Sequence, residues 1–531
     1  MTAAREDRDP AAPHEHLLKR HSARFLDPEN ATVVDGVPEP RPTAYLSRRL
    51  LMSTGADRKK VLPKLEKAAD ELGWVLDVAD EETCSTVKRR RKGQEQTLGV
   101  ARIALRPKKG TAGAPPDGWK LLQHARAKHG VDAMRGVGLD HLLYATTEVE
   151  GSPFHSGHPF HSGHPFHSGH PFHSGHPFHS GHPFGPAIAS YGWPGSGGRQ
   201  PVAVVAPRPH RADELTVRRP VVAILDTGCG EHPWLDGIVR EDVTLDGVPI
   251  GYTDPDTDPE SGGDLTGSLD GEIDPLAGHG TFIAGLVHQG CSDADILAWR
   301  VIQSDGTIVE SDLVDALTKI AELVRRHAAG EEGGHAIDVL SLSMGYYHET
   351  PEDLLFDPTM YDLLEMMGEC GTVVVASAGN DATARPMYPA AFAPWSDGGG
   401  VSTRPECLPV ISVGSLNPDD STALFSNSGP WVRAYQPGAA IVSTIPPFQG
   451  GLEPMARTTA FGREREAIDP DDFSGGFAVW SGTSFAAPLL AGRLASHLLP
   501  DMPAKDQSDP PADALVRGWN AVEAVTGIKS S

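Results

Sequence analysis

The sequence predicts an α/β fold: a mostly parallel sheet flanked by helices, preceded by a smaller βαββαβ unit. Three observations carry this. Val221 to Leu225 is an unbroken apolar run, as in a strand buried on both faces of a parallel sheet. Thr281 to Gln289 and Phe485 to Leu499 place apolar residues at helical spacing. Upstream, strand-like and helix-like stretches follow in the order strand, helix, strand, strand, helix, strand.

Residues 1–42 are rich in Pro, Asp, Glu and Arg, with little to bury, and are expected to be disordered. Residues 43–149 hold the smaller unit. Arg48 to Ser53 reads as a strand, Asp57 to Leu72 as an amphipathic helix, and Trp74 to Val78 and Leu98 to Leu105 as strands. Trp119 to His129 reads as a helix and Leu139 to Ala145 as a strand. This is the split ferredoxin-like order. Between its second and third strands, KRRRK (Lys88 to Lys92) reads as a solvated hairpin loop, with a cleavage or docking site as the alternative. Residues 150–200 form a linker in which PFHSGH repeats five times from Pro153 to His182. Pro and Gly in every repeat forbid helix and discourage sheet, so an extended linker is expected. The repeated imidazoles also leave open binding of a transition metal or a response to falling pH.

Residues 201–531 form the larger unit, where three stretches carry chemistry: VVAILDTG around Asp226, GHGTFIAG around His279 and SGTSFAAP around Ser484. A serine hydroxyl is a weak nucleophile at neutral pH. It needs a base within hydrogen-bond reach and a third group to orient that base. Asp226 ends the apolar run at a Thr-Gly turn, which places its carboxylate at the C-terminal edge of a parallel sheet, where such folds gather their catalytic groups. His279 lies between two glycines at the start of a helical run. Ser484 opens another, beside backbone N–H groups that suit an oxyanion. Pro488 is tolerated in that run only within its first turn.

The three stretches, in this order, resemble the subtilisin-family serine proteases (subtilases). The resemblance covers residues 201 to 526 and extends to SLSMG (Ser341 to Gly345), VVVASAGND (Val373 to Asp381), YPAAFAP, LPVISVGS, LFSNSGP, YQPGAAIVST and GWNAVEAV. It implies peptide-bond hydrolysis through an acyl-enzyme, with Asp226, His279 and Ser484 as the triad. Asn380 would complete the oxyanion hole. Ser343, Met344, Gly345, Ala376, Ser377, Ala378 and Gly379 would line the substrate. The βαββαβ unit resembles a subtilase propeptide, implying an intramolecular inhibitor; an unrelated interaction or sensing domain is the alternative. For the whole chain, a non-catalytic binding scaffold and a partner-triggered regulatory protease stay open.

A net charge of −25 argues against nucleic acid as a partner, and no apolar span has the length of a membrane helix. MTAAREDRDPAAPHEH lacks the apolar core of a secretory signal. Five cysteines, Cys84, Cys229, Cys291, Cys370 and Cys407, read as reduced thiols, so a cytoplasmic location is expected, with export by another route as the alternative. Cys229, three residues after Asp226, reads as a small apolar filler, with a redox-sensitive thiol as the alternative.

Both intervals between the triad positions are long. The first contains an acidic stretch, Asp254 to Asp274, in which Asp254, Asp256 and Asp258 alternate as in calcium loops but without the EF-hand glycine and distal glutamate. The chemistry requires no cofactor. The resemblance makes structural calcium one reading of these residues, and a solvated acidic loop is the other. The second interval contains Pro446 to Gly476, a candidate lid or docking loop.

Overall fold

The computed structural model describes residues 9–10, 12–13, 15–35, 39–78, 85–91, 93–110, 113–145, 188, 190–192, 195–266, 271–350, 359–395, 401–505 and 507–530, and the PFHSGH repeats lie outside them. Within the segment expected to be disordered, residues 15–26 form helix α1 (Glu15–Arg20) and strand β1 (Ala23–Leu26). Their order comes from distant partners. β1 pairs antiparallel with the first residues of β2 (Thr43–Ser53), Leu26 is buried, and His21 Nε2 lies 2.7 Å from Asp305 Oδ2.

The chain continues through α2 (Arg58–Glu71), β3 (Trp74–Val78), the hairpin β4 (Val87–Arg91) and β5 (Gln94–Leu98), β6 (Val100–Pro107), α3 (Gly118–His129) and β7 (Val137–Ala145). The sheet order β7-β2-β6-β3, antiparallel throughout, is the split ferredoxin-like arrangement. α2 and α3 cover one face, with Leu65, Ala68, Leu121 and Leu122 packed on Leu50, Ile103 and Leu139. Asp117 caps α3 by accepting from the Lys120 N–H at 3.0 Å.

The C-terminal unit runs β8 (Gln200–Pro201), β9 (Val221–Asp226), β10 (Val239–Arg240), α4 (His279–Gly290), β11 (Asp295–Arg300), β12 (Thr307–Val309), α5 (Glu310–Ala329) and β13 (Val339–Leu342). It continues with β14 (Met344–Gly345), α6 (Thr359–Glu369), β15 (Val373–Ser377), β16 (Val410–Leu416), β17 (Ala434–Pro437), β18 (Ile441–Thr444) and the hairpin β19 (Arg457–Ala460) and β20 (Arg463–Glu466). Strand β21 (Phe477–Trp480) and helices α7 (Thr483–Leu498) and α8 (Pro511–Thr526) complete it. Its main sheet, β10-β11-β9-β13-β15-β16-β17, is wholly parallel. The unbroken apolar run of β9 serves two cores. Val221, Ala223 and Leu225 pack toward α5 and α6, while Val222 and Ile224 pack toward α4, α7 and α8. Helices α4 and α7 touch backbone to backbone at Gly290 and Gly492: a Cβ on Gly492 would lie 2.7 Å from the Val287 carbonyl oxygen. Among the described residues no helix is long and apolar enough to cross a membrane.

The two units share a core and a sheet. Leu51, Val87, Leu98, Val100 and Leu143 join the cluster built on α5 and α6, and β7 pairs antiparallel with both β12 and β14. The basic segment is therefore not a solvated loop. Alternation along β4 turns Arg89 and Arg91 to one side, against α6. There Arg89 is 3% exposed and donates to Glu365 Oε2 at 2.6 Å and to both carboxylate oxygens of Glu369, at 2.6 and 3.0 Å. Arg91 Nη1 donates to Glu365 at 2.9 Å. Removing one side of a buried ion pair leaves its partner uncompensated, at a cost of about 3–5 kcal/mol. Arg89→Ala is expected to lose that much in urea unfolding, with earlier proteolytic loss of the N-terminal unit. Arg89→Lys, a point charge without the two-pronged geometry, is expected to lose less.

Candidate active site

β9 ends at Asp226, and Gly228, with φ of 101°, lets the chain turn away at once. Asp226 Oδ1 accepts from the Thr227 N–H at 2.9 Å and lies 2.5 Å from His279 Nδ1. His279 is the first residue of α4, and Gly278 enters that helix in the left-handed region at φ 79°. The Asp and His loops are in backbone contact, since a Cβ on Gly280 would fall 2.0 Å from the Gly228 carbonyl oxygen. The imidazole packs between Trp480, edge-on at 5.6 Å, and Phe485, tilted at 5.2 Å. Its Nε2 is buried and makes no hydrogen bond among the described residues. With Nδ1 held by Asp226, Nε2 is the nitrogen left to exchange a proton.

Ser484 is the second residue of α7. Pro488 is that helix's sixth residue, beyond the first turn in which the sequence reading allowed it. Proline has no N–H for the Ser484 carbonyl, and the Ser343 hydroxyl donates to that carbonyl instead, at 3.0 Å. One substitution of donor thus joins the Ser484 helix to the Ser343–Gly345 segment. Asn380 Oδ1 accepts from both the N–H and the hydroxyl of Thr483, each at 2.9 Å, which aims the other end of its amide away from the helix. Asp226, His279 and Ser484 are all fully buried.

Met344 and Gly345 pair with Ala145 and Tyr144 of β7, so the N-terminal unit's last strand lies along the segment expected to hold substrate backbone. Ala376, Ser377 and Ala378 are buried at the end of β15, and Gly379 follows at φ 103°. No side chain fits at Gly379: a Cβ would lie 2.3 Å from Asn427 Nδ2. Asn427 was not singled out from the sequence, although LFSNSGP contains it. Its amide donates to the Ala378 carbonyl at 2.8 Å, and its Oδ1 accepts from the Asp381 and Thr383 N–H groups at 3.0 and 3.2 Å, bracing the Asn380 loop. Arg199 was also missed. It donates to the carbonyls of Ile273, Pro275 and Ala277, just before His279, and stacks 4.9 Å over Trp480, just before Ser484.

The three alternating aspartates serve their own turn. Asp254 accepts from the Asp256 N–H at 3.1 Å and Asp258 from the Glu260 N–H at 3.0 Å, with all three carboxylates exposed or partly so. Among the described residues, the group within metal-ligating reach is His141, His348 and Glu349, where β7 meets the C-terminal unit. Two of the three already satisfy each other. His141 Nδ1 lies 2.6 Å from Glu310 and Nε2 lies 2.9 Å from Glu349. Burial opposes a charge on this imidazole, yet the two carboxylates lift its pKa well above the ordinary histidine value. Cys229 is half-buried against the α4–α7 core, and burial raises its thiol well above the usual range, which suits a filler. Cys291, Cys370 and Cys407 are likewise free thiols.

Comparison with known proteins agrees with the resemblance noted in the sequence. The subtilase family model matches residues 218–506. A thermophilic serine proteinase of Bacillus sp. (strain AK1) is 28% identical over 284 residues, covering 51% of this chain and 50% of that protein. An intracellular serine protease of Paenibacillus polymyxa is 27% identical over 297 residues, covering 52% of this chain and 65% of that protein. The chain thus spans about half to two-thirds of the length of these relatives. Among solved structures, fervidolysin from Fervidobacterium pennivorans is 18% identical with a TM-score of 0.43, covering 90% of this chain and 58% of that one. With the family model spanning more than half of its residues, the chain belongs to the subtilase family.

Proposed function

We propose that this protein is a serine endopeptidase acting on protein or peptide substrates, restrained by its own N-terminal unit. The observation that carries the catalytic reading is the Asp226–His279 hydrogen bond, which leaves a buried Nε2 on the ring that Phe485, the neighbour of Ser484, packs against. In this reading His279 Nε2 takes the Ser484 hydroxyl proton as the oxygen attacks a peptide carbonyl, then returns it to the leaving amine. Asp226 holds the tautomer and stabilises the imidazolium. The Asn380 amide and the Ser484 N–H donate to the oxyanion, and the chemistry uses only the chain's own groups.

The restraint reading is supported by β7, which pairs with β14 where a substrate strand would add, and by the ion pairs that hold it there. The linker at residues 150–200 then connects inhibitor to enzyme.

Ser484→Ala is expected to abolish labelling by a fluorophosphonate and to lower kcat by at least about four orders of magnitude. Asp226→Asn is expected to cost about 10⁴-fold, and Asn380→Ala about 10²–10³-fold. Wild-type turnover by the Ser484→Ala protein would overturn the assignment. The His141 contacts predict a pH dependence of restraint. A histidine pKa raised on docking stabilises the docked state fully below the free value of about 6.5, and that contribution is lost as pH rises through the raised value. Release of the N-terminal unit from the full chain, followed by mass and by turnover of a small peptide, should therefore rise toward alkaline pH. In His141→Gln the release should be larger at neutral pH and flatter with pH.

A further inference from the structure

Among the described residues Glu260 is the most deeply buried carboxylate of the acidic stretch, at 3% exposure, and it makes no ion pair. Burying an unpaired carboxylate costs several kcal/mol unless hydrogen bonds replace its water. Every replacement donor comes from the two loops that carry Asp226 and His279. Oε1 accepts from the Thr227 hydroxyl and from the Gly280 N–H, the latter at 2.8 Å. Oε2 accepts from the Thr281 hydroxyl at 2.5 Å and the Thr281 N–H at 3.3 Å. Thr281 Oγ1 in turn accepts from the Gly230 N–H at 2.7 Å, so the bridge reaches the Asp loop twice. The backbone beside Glu260 joins in, because the Pro259 carbonyl accepts from the Gly278 N–H at 3.1 Å.

α4 begins at His279 without a side-chain cap of its own, since Gly278 occupies the capping position. Glu260 supplies that cap from a distant loop, meeting the second and third N–H groups of the helix, where a negative charge is favoured. The same carboxylate grips Thr227, the residue after Asp226. It therefore spans the hydrogen bond between Asp226 and His279 without touching either side chain.

Resting on the proposed role of that pair, we propose that Glu260 is a positioning residue, whose carboxylate holds the Asp226 and His279 loops at the separation that keeps the His279 Nδ1–Asp226 Oδ1 hydrogen bond short. All four donors can be accepted together only by the ionised carboxylate. Burial pushes its pKa up to about 8, so at neutral pH one oxygen is protonated in a large share of molecules and gives up an acceptor role. The bridge tightens as pH rises through that value.

The test uses the full chain. Glu260→Gln keeps the shape but turns an amide donor toward these donors. Its kcat for a small peptide is expected to fall about 10–100-fold with KM within twofold. The part of its kcat profile that rises through about pH 8 as Glu260 ionises should flatten, because the amide does not titrate. Thr281→Val removes one link with little change of shape and is expected to lower kcat by less. If Glu260→Gln does not fold, Thr281→Val carries the test. Proton NMR of both substitutions in a Ser484→Ala background reads the His279 Nδ1–H directly. Its downfield resonance is expected to shift upfield or broaden, whether or not the parent hydrolyses peptides, so a failed catalytic assignment stays distinguishable from a failed positioning role. A lowered Tm with kcat, pH profile and Nδ1–H signal all at parent values would overturn the proposal.

Discussion

The hydrogen bond between His279 and Asp226 joins residues 53 positions apart, and much of the surrounding structure serves to hold its two ends. Asp226 is set by β9, whose side chains are buried alternately in two cores and so cannot slide without exposing one of them. His279 is set by α4, which meets α7 through the Gly290–Gly492 contact and so shares a frame with the helix that starts at Ser484. Neither device alone brings the imidazole to the carboxylate. The loops between strand and helix must also be tied, and Gly280, Thr227, Thr281 and Glu260 tie them through a dense set of hydrogen bonds.

Proline and serine divide a second task. Helix α7, which starts beside Ser484, is anchored near its start to the Ser343–Gly345 segment. Here Pro488 removes a helical donor and Ser343 replaces it, so a defect in the helix becomes the joint to the neighbouring strand. Arg199 makes a comparable joint from outside. Its guanidinium spans the carbonyls ahead of His279 and the Trp480 ring ahead of Ser484.

The N-terminal unit is bound by both kinds of force. Apolar residues of β2, β4, β5 and β7 complete the core over α5 and α6, while Arg89 and His141 each sit between carboxylates of the C-terminal unit. Burial supplies the attraction and the charge pairs supply the register. A misplaced β7 would leave Glu310 and Glu349 buried without a cation.

What could be read in advance followed from local pattern. The αβ order, the ferredoxin-like unit and the positions of Asp226, His279 and Ser484 rest on periodicity and on motifs contained within a few residues, and those are properties a linear chain displays. The rest depended on partners far away in sequence. Residues 15–26 looked too polar to fold because β1's partner lies in β2, and KRRRK looked solvated because its carboxylates lie on α6. Glu260 was one acid in an acidic run, with nothing local to set it apart from Asp254 or Asp258. Local pattern was enough for the fold class and for the residue types at the ends of the strands and helices. Which groups meet each buried charge was settled by packing, because a desolvated charge needs either an ion pair, as at Arg89, or a set of hydrogen bonds, as at Glu260.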